Sequence, residues 1–488
     1  MTEGDYTARK RKTKTRKIVV DKIVKSTTGV EYAIGNRLGS GGVASVFRAR
    51  RVRDKKECVF KEYVPSPESR RLHIAIKRNI QNLMKNPLTE DDGATPLRTF
   101  IGPMDTDSLI ELPGSGGFGY VMELVDTKAF LSVPKLWHRD TYPDADILCR
   151  ACINIARFFR KVHFKGWCYK DINEGNIYIN NKTGDVRIID CDNISVQSTK
   201  TIKGTDGFMA PEVYITSAPD AYTDYFSMAV LFYRLFVGGF PMDGKRTRGY
   251  LLAKNLSIQE AAPDIYGKMA LFAFDPNNKS NEIRGLVDPQ SPRMYEMQVR
   301  KWDRLPEAIK DRFVQTFANG LSSADRHKRA TDREWMTTFE RIKTTGLVRC
   351  RCGKVNFGEA NKKVECIFCK AGLPQLAVRR PFAAGELTAV EFSARRDIAP
   401  TRLKIVARRR QRLQGNAIYP GLNEGWMRIE YSKKRNMLSV VNLSRYIWSI
   451  SDNGSRAKCA PGERVIVKVG LVITVMYRQL QLTVADIR

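Results

Sequence analysis

The sequence runs to 488 residues, too long for one ordinary hydrophobic core and long enough for about three domains. Its balance of 42% hydrophobic and 28% charged residues is that of a soluble globular chain. No apolar run reaches the ~18 residues that cross a bilayer, the best candidate, FSMAVLFYRLFVGGF, carrying Arg234 in its middle. Nothing near Met1 has the apolar core of an export signal, so a cytoplasmic location is expected.

Residues 1–28 are polar and basic and read as a disordered tail. Part of the net charge of +31 lies there, in Arg9–Lys17, and part around Arg408–Arg412. A solvated surface satisfies these runs, and so does a surface for nucleic acid, acidic protein or anionic lipid. From 29 to 345 strand signals give way to amphipathic helices, the order of a small β-rich lobe (29–125) followed by a larger helical one (126–345). YAIGNRL, CVFKEYV and GYVMELV read as strands. ILCRACINIARFFRKVH sets Ile147, Leu148, Cys152, Ile155, Ala156, Phe159 and Val162 on one helical face. TDYFSMAVLFYRLF is apolar around nearly its whole circumference, as a helix at the centre of a lobe would be. A cysteine cluster (346–375), a linker (376–400) and a segment of short alternating strands (401–488) follow, the last expected to form a small all-β, sandwich-like domain.

Chemistry concentrates in three places. Leu38-Gly39-Ser40-Gly41-Gly42-Val43-Ala44-Ser45-Val46 follows a strand; glycines let a backbone turn closely over a triphosphate, while Val46 would cover an adenine. Lys61 ends the apolar run Cys58-Val59-Phe60, a context no surface lysine needs. Asp171 is separated by four residues from Asn176, and a second acid, Asp190, ends the apolar strand Val186-Arg187-Ile188-Ile189. That set is what phosphoryl transfer to a hydroxyl requires: Asp171 to accept the proton, Asn176 and Asp190 to hold magnesium or manganese.

With these motifs in order, the stretch from the glycine loop to about residue 345 resembles the protein kinase family, of the eukaryotic-like Ser/Thr type. Gly204–Glu212 resembles the end of an activation segment, and Asp224 with Ser227 the start of the buried helix after it. Arg329 sits where the family keeps an arginine that pairs with the glutamate matching Glu212. The resemblance implies a bilobal α+β fold and transfer of the γ-phosphate of ATP to protein Ser or Thr hydroxyls, with autophosphorylation, in signalling or stress response. It also implies Lys61 on the α- and β-phosphates, Met122 as gatekeeper, and Glu123 to Val125 as the adenine-binding hinge.

Several positions depart from the family's pattern. No glutamate lies between Glu68 and Glu90, where a helix normally supplies the lysine's partner; Glu68 is the nearest acid. Lys170 replaces the arginine before the catalytic aspartate, Asn173 replaces a lysine, and Asp192 stands where the magnesium motif has glycine. The alternative is accordingly a pseudokinase scaffold that binds nucleotide and recruits partners. Ser195, Ser198, Thr199, Thr201 and Thr205 are candidate phosphorylation sites whose phosphate could pair with Lys170.

Cys350, Cys352, Cys366 and Cys369 have the spacing C-x-C, thirteen residues, C-x2-C. Two such pairs can converge as four thiolates on a structural Zn2+, and they resemble zinc-ribbon knuckles. Kinases of an atypical bacterial group, some linked to tellurium-resistance-type systems, carry a ribbon in this place. Cys149 and Cys152 read as helix core. The last segment resembles the back half of a forkhead-associated domain without its phosphothreonine-reading residues, which leaves a structural or partner-docking role. Trp426, Tyr446 and Trp448 are expected in its core.

Overall fold

The computed structural model describes residues 22–90, 97–104, 108–138, 140–196, 204–215, 218–289, 291–358 and 364–374, and shorter segments between 385 and 484. The basic run Arg9–Lys17, residues Arg408–Arg410 and the candidates Ser198, Thr199 and Thr201 lie outside the described residues. Two compact units divide the chain: residues 1–88, 98–358 and 364–374 form one, and 375–488 with the pieces 89–97 and 359–363 the other.

The first unit begins with β1 (Lys22–Lys25), β2 (Glu31–Ser40), β3 (Ser45–Arg51) and β4 (Glu57–Tyr63), then α1 (Arg70–Lys85), β5 (Leu109–Leu112) and β6 (Gly117–Glu123). These strands make one antiparallel sheet in the order β1-β2-β3-β4-β6-β5. Residues two apart on a strand share a face, which puts Tyr32 and Ile34 of β2, Cys58 and Phe60 of β4, and Val121 of β6 in one core. The tail reading of residues 22–28 is corrected here. Val24, buried in that core, anchors a short edge strand whose exposed lysines had masked it. Helix α1 buries His73, Ile76, Ile80 and Leu83, the 3- and 4-residue steps of a single helical stripe, and stops before Pro87.

Next come β7 (Leu131–Ser132), α2 (Ala145–Phe164), β8 (Trp167–Cys168), β9 (Ile177–Ile179), β10 (Val186–Ile188), β11 (Ser195–Val196), α3 (Pro211–Ile215) and α4 (Ala221–Phe236). Helix α4 starts on a reciprocal cap between Asp220 and Thr223 and is buried on nearly every side. Its single basic residue, Arg234, is matched by Glu174 through two 2.9 Å hydrogen bonds. Outer helices α5 (Lys245–Lys254), α6 (Ile258–Ala262), α7 (Met294–Asp303), α8 (Glu307–Val314) and α9 (Asp332–Thr345) follow. Phe232 and Tyr233 of α4 meet Trp335 of α9 and Phe313 of α8 edge-on, with ring centroids 5.1 and 5.5 Å apart, an aromatic core for the lobe.

A hairpin of β12 (Leu347–Arg349) and β13 (Val355–Phe357) opens the cysteine segment, which packs within the first unit. Phe357 meets Phe236 of α4 at 5.8 Å, Phe368 meets Tyr142 at 6.4 Å, and Asp144, just ahead of α2, accepts the Val355 N–H at 3.0 Å.

The second unit contains β14 (Gly385–Ser393), β15 (Arg402–Ala407), β16 (Gln411–Gln414), β17 (Gly425–Ser432), β18 (Met437–Asn442), β19 (Trp448–Asp452), β20 (Ser455–Cys459), β21 (Arg464–Ile466), β22 (Leu471–Val475) and β23 (Arg478–Val484). They form two antiparallel sheets, β15-β14-β23-β22-β19-β20 and β16-β17-β18-β21. The expected linker 376–400 is corrected by β14, an inner strand paired on both sides. Trp448 is fully buried, as expected of a core residue. The Trp426 side chain and Tyr446 lie outside what is described.

Candidate functional site

The glycine loop joins β2 to β3, closed by Gly41 N–H donating to the Ala44 carbonyl at 2.9 Å. A Cβ added at Gly39, Gly41 or Gly42 would meet no protein atom within 4 Å. Val46 of β3 lies opposite Lys61 of β4 in the ladder, and Leu38 at the end of β2 is exposed. Met122 is buried on β6; Glu123 after it is exposed and ion-paired with Lys56 at 3.0 Å, and the half-buried Val125 follows.

Strands β9 and β10 pair antiparallel, bringing the residue before one beside the residues after the other. Ile189 N–H donates to the Asn176 carbonyl at 3.0 Å, so Asn176 and Asp190 share one end of the hairpin. Asn176 Nδ2 donates to Asp171, at 3.1 Å to the carbonyl and 3.4 Å to Oδ2. Lys61 Nζ donates to Asp190 Oδ1 at 2.9 Å across 129 residues of sequence. Lys61, Asp171, Asn176 and Asp190 are thereby brought into one neighbourhood.

Backbone strain accompanies this convergence. Lys170 and Asp190 hold φ of 70° and 68°, a left-handed conformation that costs L-residues free energy and clusters at functional sites. Asp224 of α4 holds the first turn by accepting the backbone N–H of Tyr169 at 2.6 Å and of Lys170 at 3.0 Å. His163 of α2 braces Asp224 from behind at 3.1 Å and reaches Asp332 with its other nitrogen at 3.0 Å. Burial pushes His163 down, but the two carboxylates outweigh it and raise its pKa to about 9.

Sequence reasoning had left three contacts undetermined. Lys61 also donates to Asp192 Oδ2 at 2.6 Å, and the Asp192 side chain is 3% exposed. Burial pushes Lys61 down, yet Asp192 and Asp190 hold it above its ordinary value, while burial and the neighbouring Asp190 push Asp192 up against the pull of the Lys61 ammonium. Asp171 Oδ1 accepts both Thr205 Oγ1 at 2.7 Å and Thr205 N–H at 3.0 Å, and Asn173 donates to the same hydroxyl at 3.0 Å. Lys170 donates to Ser195 Oγ at 2.5 Å in a buried position, and burial lowers its pKa. Glu68 stays at the start of α1, its carboxylate on Ser66. Arg329 meets Glu212 through two bonds of 2.7 and 2.8 Å, the pair expected from the sequence.

The four thiols Cys350, Cys352, Cys366 and Cys369 converge, all within 4.8 Å of one another. Sγ separations are 3.5 Å for Cys350–Cys369 and 3.7 Å for Cys352–Cys366. Ligands ~2.3 Å from a tetrahedral zinc would stand roughly 3.8 Å apart. Burial pushes the Cys366 thiol up, but N–H groups of Cys369, Phe368 and Asn356 outweigh it and hold it down at about 6. This donor set is compatible with Zn2+.

The family description "Protein kinase domain" matches residues 32–338, more than half of the chain, which takes in Lys61, Asp171, Asn176 and Asp190 and ends before the four thiols. The chain belongs to the protein kinase family. Curated relatives of this kinase include serine/threonine-protein kinase pkn2 of Myxococcus xanthus, 27% identical over 135 residues that cover 25% of this chain and 16% of that protein. cGMP-dependent protein kinase 2 of Mus musculus is 31% identical over 100 residues, 20% of this chain and 13% of that one. The kinase therefore spans less than a fifth of the length of these relatives. Among solved structures, the autoinhibited serine kinase domain of the giant muscle protein titin overlays with a TM-score of 0.43 at 14% identity, covering 64% of this chain and 81% of its own. The Cydia pomonella granulovirus kinase PK-1 gives 0.42 at 14%, covering 63% and 93%. Among the described residues no helix is long and apolar enough to cross a membrane.

Proposed function

We propose that this protein is an active Ser/Thr kinase, transferring the γ-phosphoryl group of Mg-ATP to hydroxyls of protein substrates and of its own chain. The observation that carries the reading is the meeting of Lys61, Asp190, Asn176 and Asp171 at one end of the β9–β10 hairpin. The residues fit the nucleotide and its metal. Asp190 offers a carboxylate, and Asn176 spends its amide nitrogen on Asp171, which leaves Oδ1, the atom a hard cation takes. A Cβ at Gly39, Gly41 or Gly42 would meet no protein atom, so packing does not call for glycine there and close backbone approach to a ligand does. Bound magnesium would neutralise charge on the phosphates. Lys61 orients the phosphates, and Asp171 orients the acceptor hydroxyl and takes its proton. Thr205, its hydroxyl steadied by Asn173, holds the Asp171 carboxylate for that task. The four thiols bind one structural Zn2+, and the second unit serves as a partner-docking module.

The test uses the whole purified chain with labelled ATP, magnesium or manganese, and a generic basic protein as acceptor. Incorporation into Ser or Thr that Asp171→Ala abolishes supports the enzyme. Nucleotide binding without incorporation under either metal would make the chain a scaffold.

A further inference from the structure

Helix α1, RRLHIAIKRNIQNLMK, contains no acid at all, so it has no carboxylate to offer Lys61. What the helix sends toward the lysine's surroundings is Asn79, whose amide donates to the Asp192 backbone carbonyl at 3.1 Å. The Asp192 side chain turns the other way and reaches Lys61 Nζ at 2.6 Å, with Tyr120 OH of β6 donating to its second oxygen at 3.4 Å. It is buried, and Lys61 is 7% exposed. A buried carboxylate survives only if paired and hydrogen-bonded. Asp192 meets both conditions through groups of the small lobe.

We propose that Asp192 is the positioning residue for Lys61, replacing a helix acid with a carboxylate from the magnesium-binding turn itself. This rests on the kinase reading above. Two consequences follow from the geometry. Lys61 now faces two carboxylates two residues apart, and when Asp190 turns to the metal, Asp192 remains to hold the ammonium against the phosphates. The lysine's anchor also takes no charge from α1, which reaches Asp192 through the Asn79 amide. Displacing the helix would break one amide–carbonyl bond, while both partners of the ion pair lie outside α1.

The test is a double-mutant cycle on the full chain between Asp192→Asn and Lys61→Met, read by magnesium-dependent affinity for a fluorescent ATP analogue and by kcat and KM for ATP. Binding does not depend on turnover, so loss of the kinase reading and loss of this one are distinguishable. Asp192→Asn alone is expected to weaken analogue binding about tenfold and to raise KM for ATP. In the Lys61→Met background the same change should alter affinity less than twofold, because its effect runs through the lysine. Equal losses in both backgrounds overturn the proposal. Thermal unfolding covers the case in which Asp192→Asn fails to fold. The double variant must then fold and melt above Lys61→Met, since it no longer buries a lone carboxylate; a double variant no more stable than Lys61→Met also overturns it.

Discussion

Replacing Arg329 with methionine probes the deepest charge in the helical lobe. The guanidinium is 0% exposed and its partner Glu212 is 3% exposed. Beyond the two bonds to Glu212, Arg329 donates to the carbonyls of Gly320 at 2.8 Å, Tyr222 at 3.1 Å and Leu321 at 3.4 Å. Arg329→Met therefore leaves a buried carboxylate without its counter-charge and three carbonyls without this donor. Breaking a buried pair from one side costs about 3–5 kcal/mol, and the orphaned carbonyls point to the upper end. For a folding unit of this size, ~1 kcal/mol moves Tm by roughly 2 °C, so a fall on the order of 10 °C is expected in differential scanning calorimetry. Arg329→Met with Glu212→Met removes both charges and should recover at least half of the loss. A single-variant shift under ~2 °C, or a double variant worse than the single, would refute the account of this pair as mutually dependent.

His163 supplies a pH dependence. Its pKa rises from 6.5 to about 9 on folding, so the stability it contributes is complete below about pH 6.5 and drains away as pH climbs through 9. The loss is about 3 kcal/mol, visible as a Tm decline over that window in the native chain and flattened in His163→Gln. Thr205→Val should lower kcat by about tenfold with little change in nucleotide affinity, since it frees the Asp171 carboxylate from a charge-assisted bond; unchanged kcat in steady-state assays would count against that role. Metal analysis should find one zinc per chain, and Cys352→Ser with Cys369→Ser should remove it and lower the melting temperature of the kinase unit. An unchanged Tm would mean the thiols do not brace the lobe.

Much of the site could be read from linear order because phosphoryl transfer fixes residue types at fixed intervals. Asp171 and Asn176 sit in one short loop, and Asp190 is joined to them by a hairpin whose strands announce themselves as IYI and VRI. The Arg329–Glu212 pair was legible for a similar reason, an arginine and a glutamate each embedded in a motif. The destination of Asp192 was not. Its departure from glycine is plain in the sequence, but which way the side chain points depends on a left-handed turn at Asp190. Edge strand β1 escaped notice because one buried residue, Val24, carries it among lysines. Strand β14 lay beside Pro- and Arg-containing sequence that suggested a spacer, and LTAVEF hid it further because Ala389 beside Val390 breaks the alternation a half-buried strand would show.

The stretch that matches the family ends at residue 338, but the folded body does not. Asp144 lies at the mouth of α2, and its side chain makes no cap bond within its own helix; the carboxylate receives the Val355 N–H and the ammonium of Lys354 instead. Truncation after Thr345 would strip that contact and wet the faces of Phe236 and Tyr142, leaving the Asp146–Lys343 ion pair to α9 at the leading end of the twenty-residue α2. The compact unit that holds the family match closes at residue 374, after the second pair of cysteines.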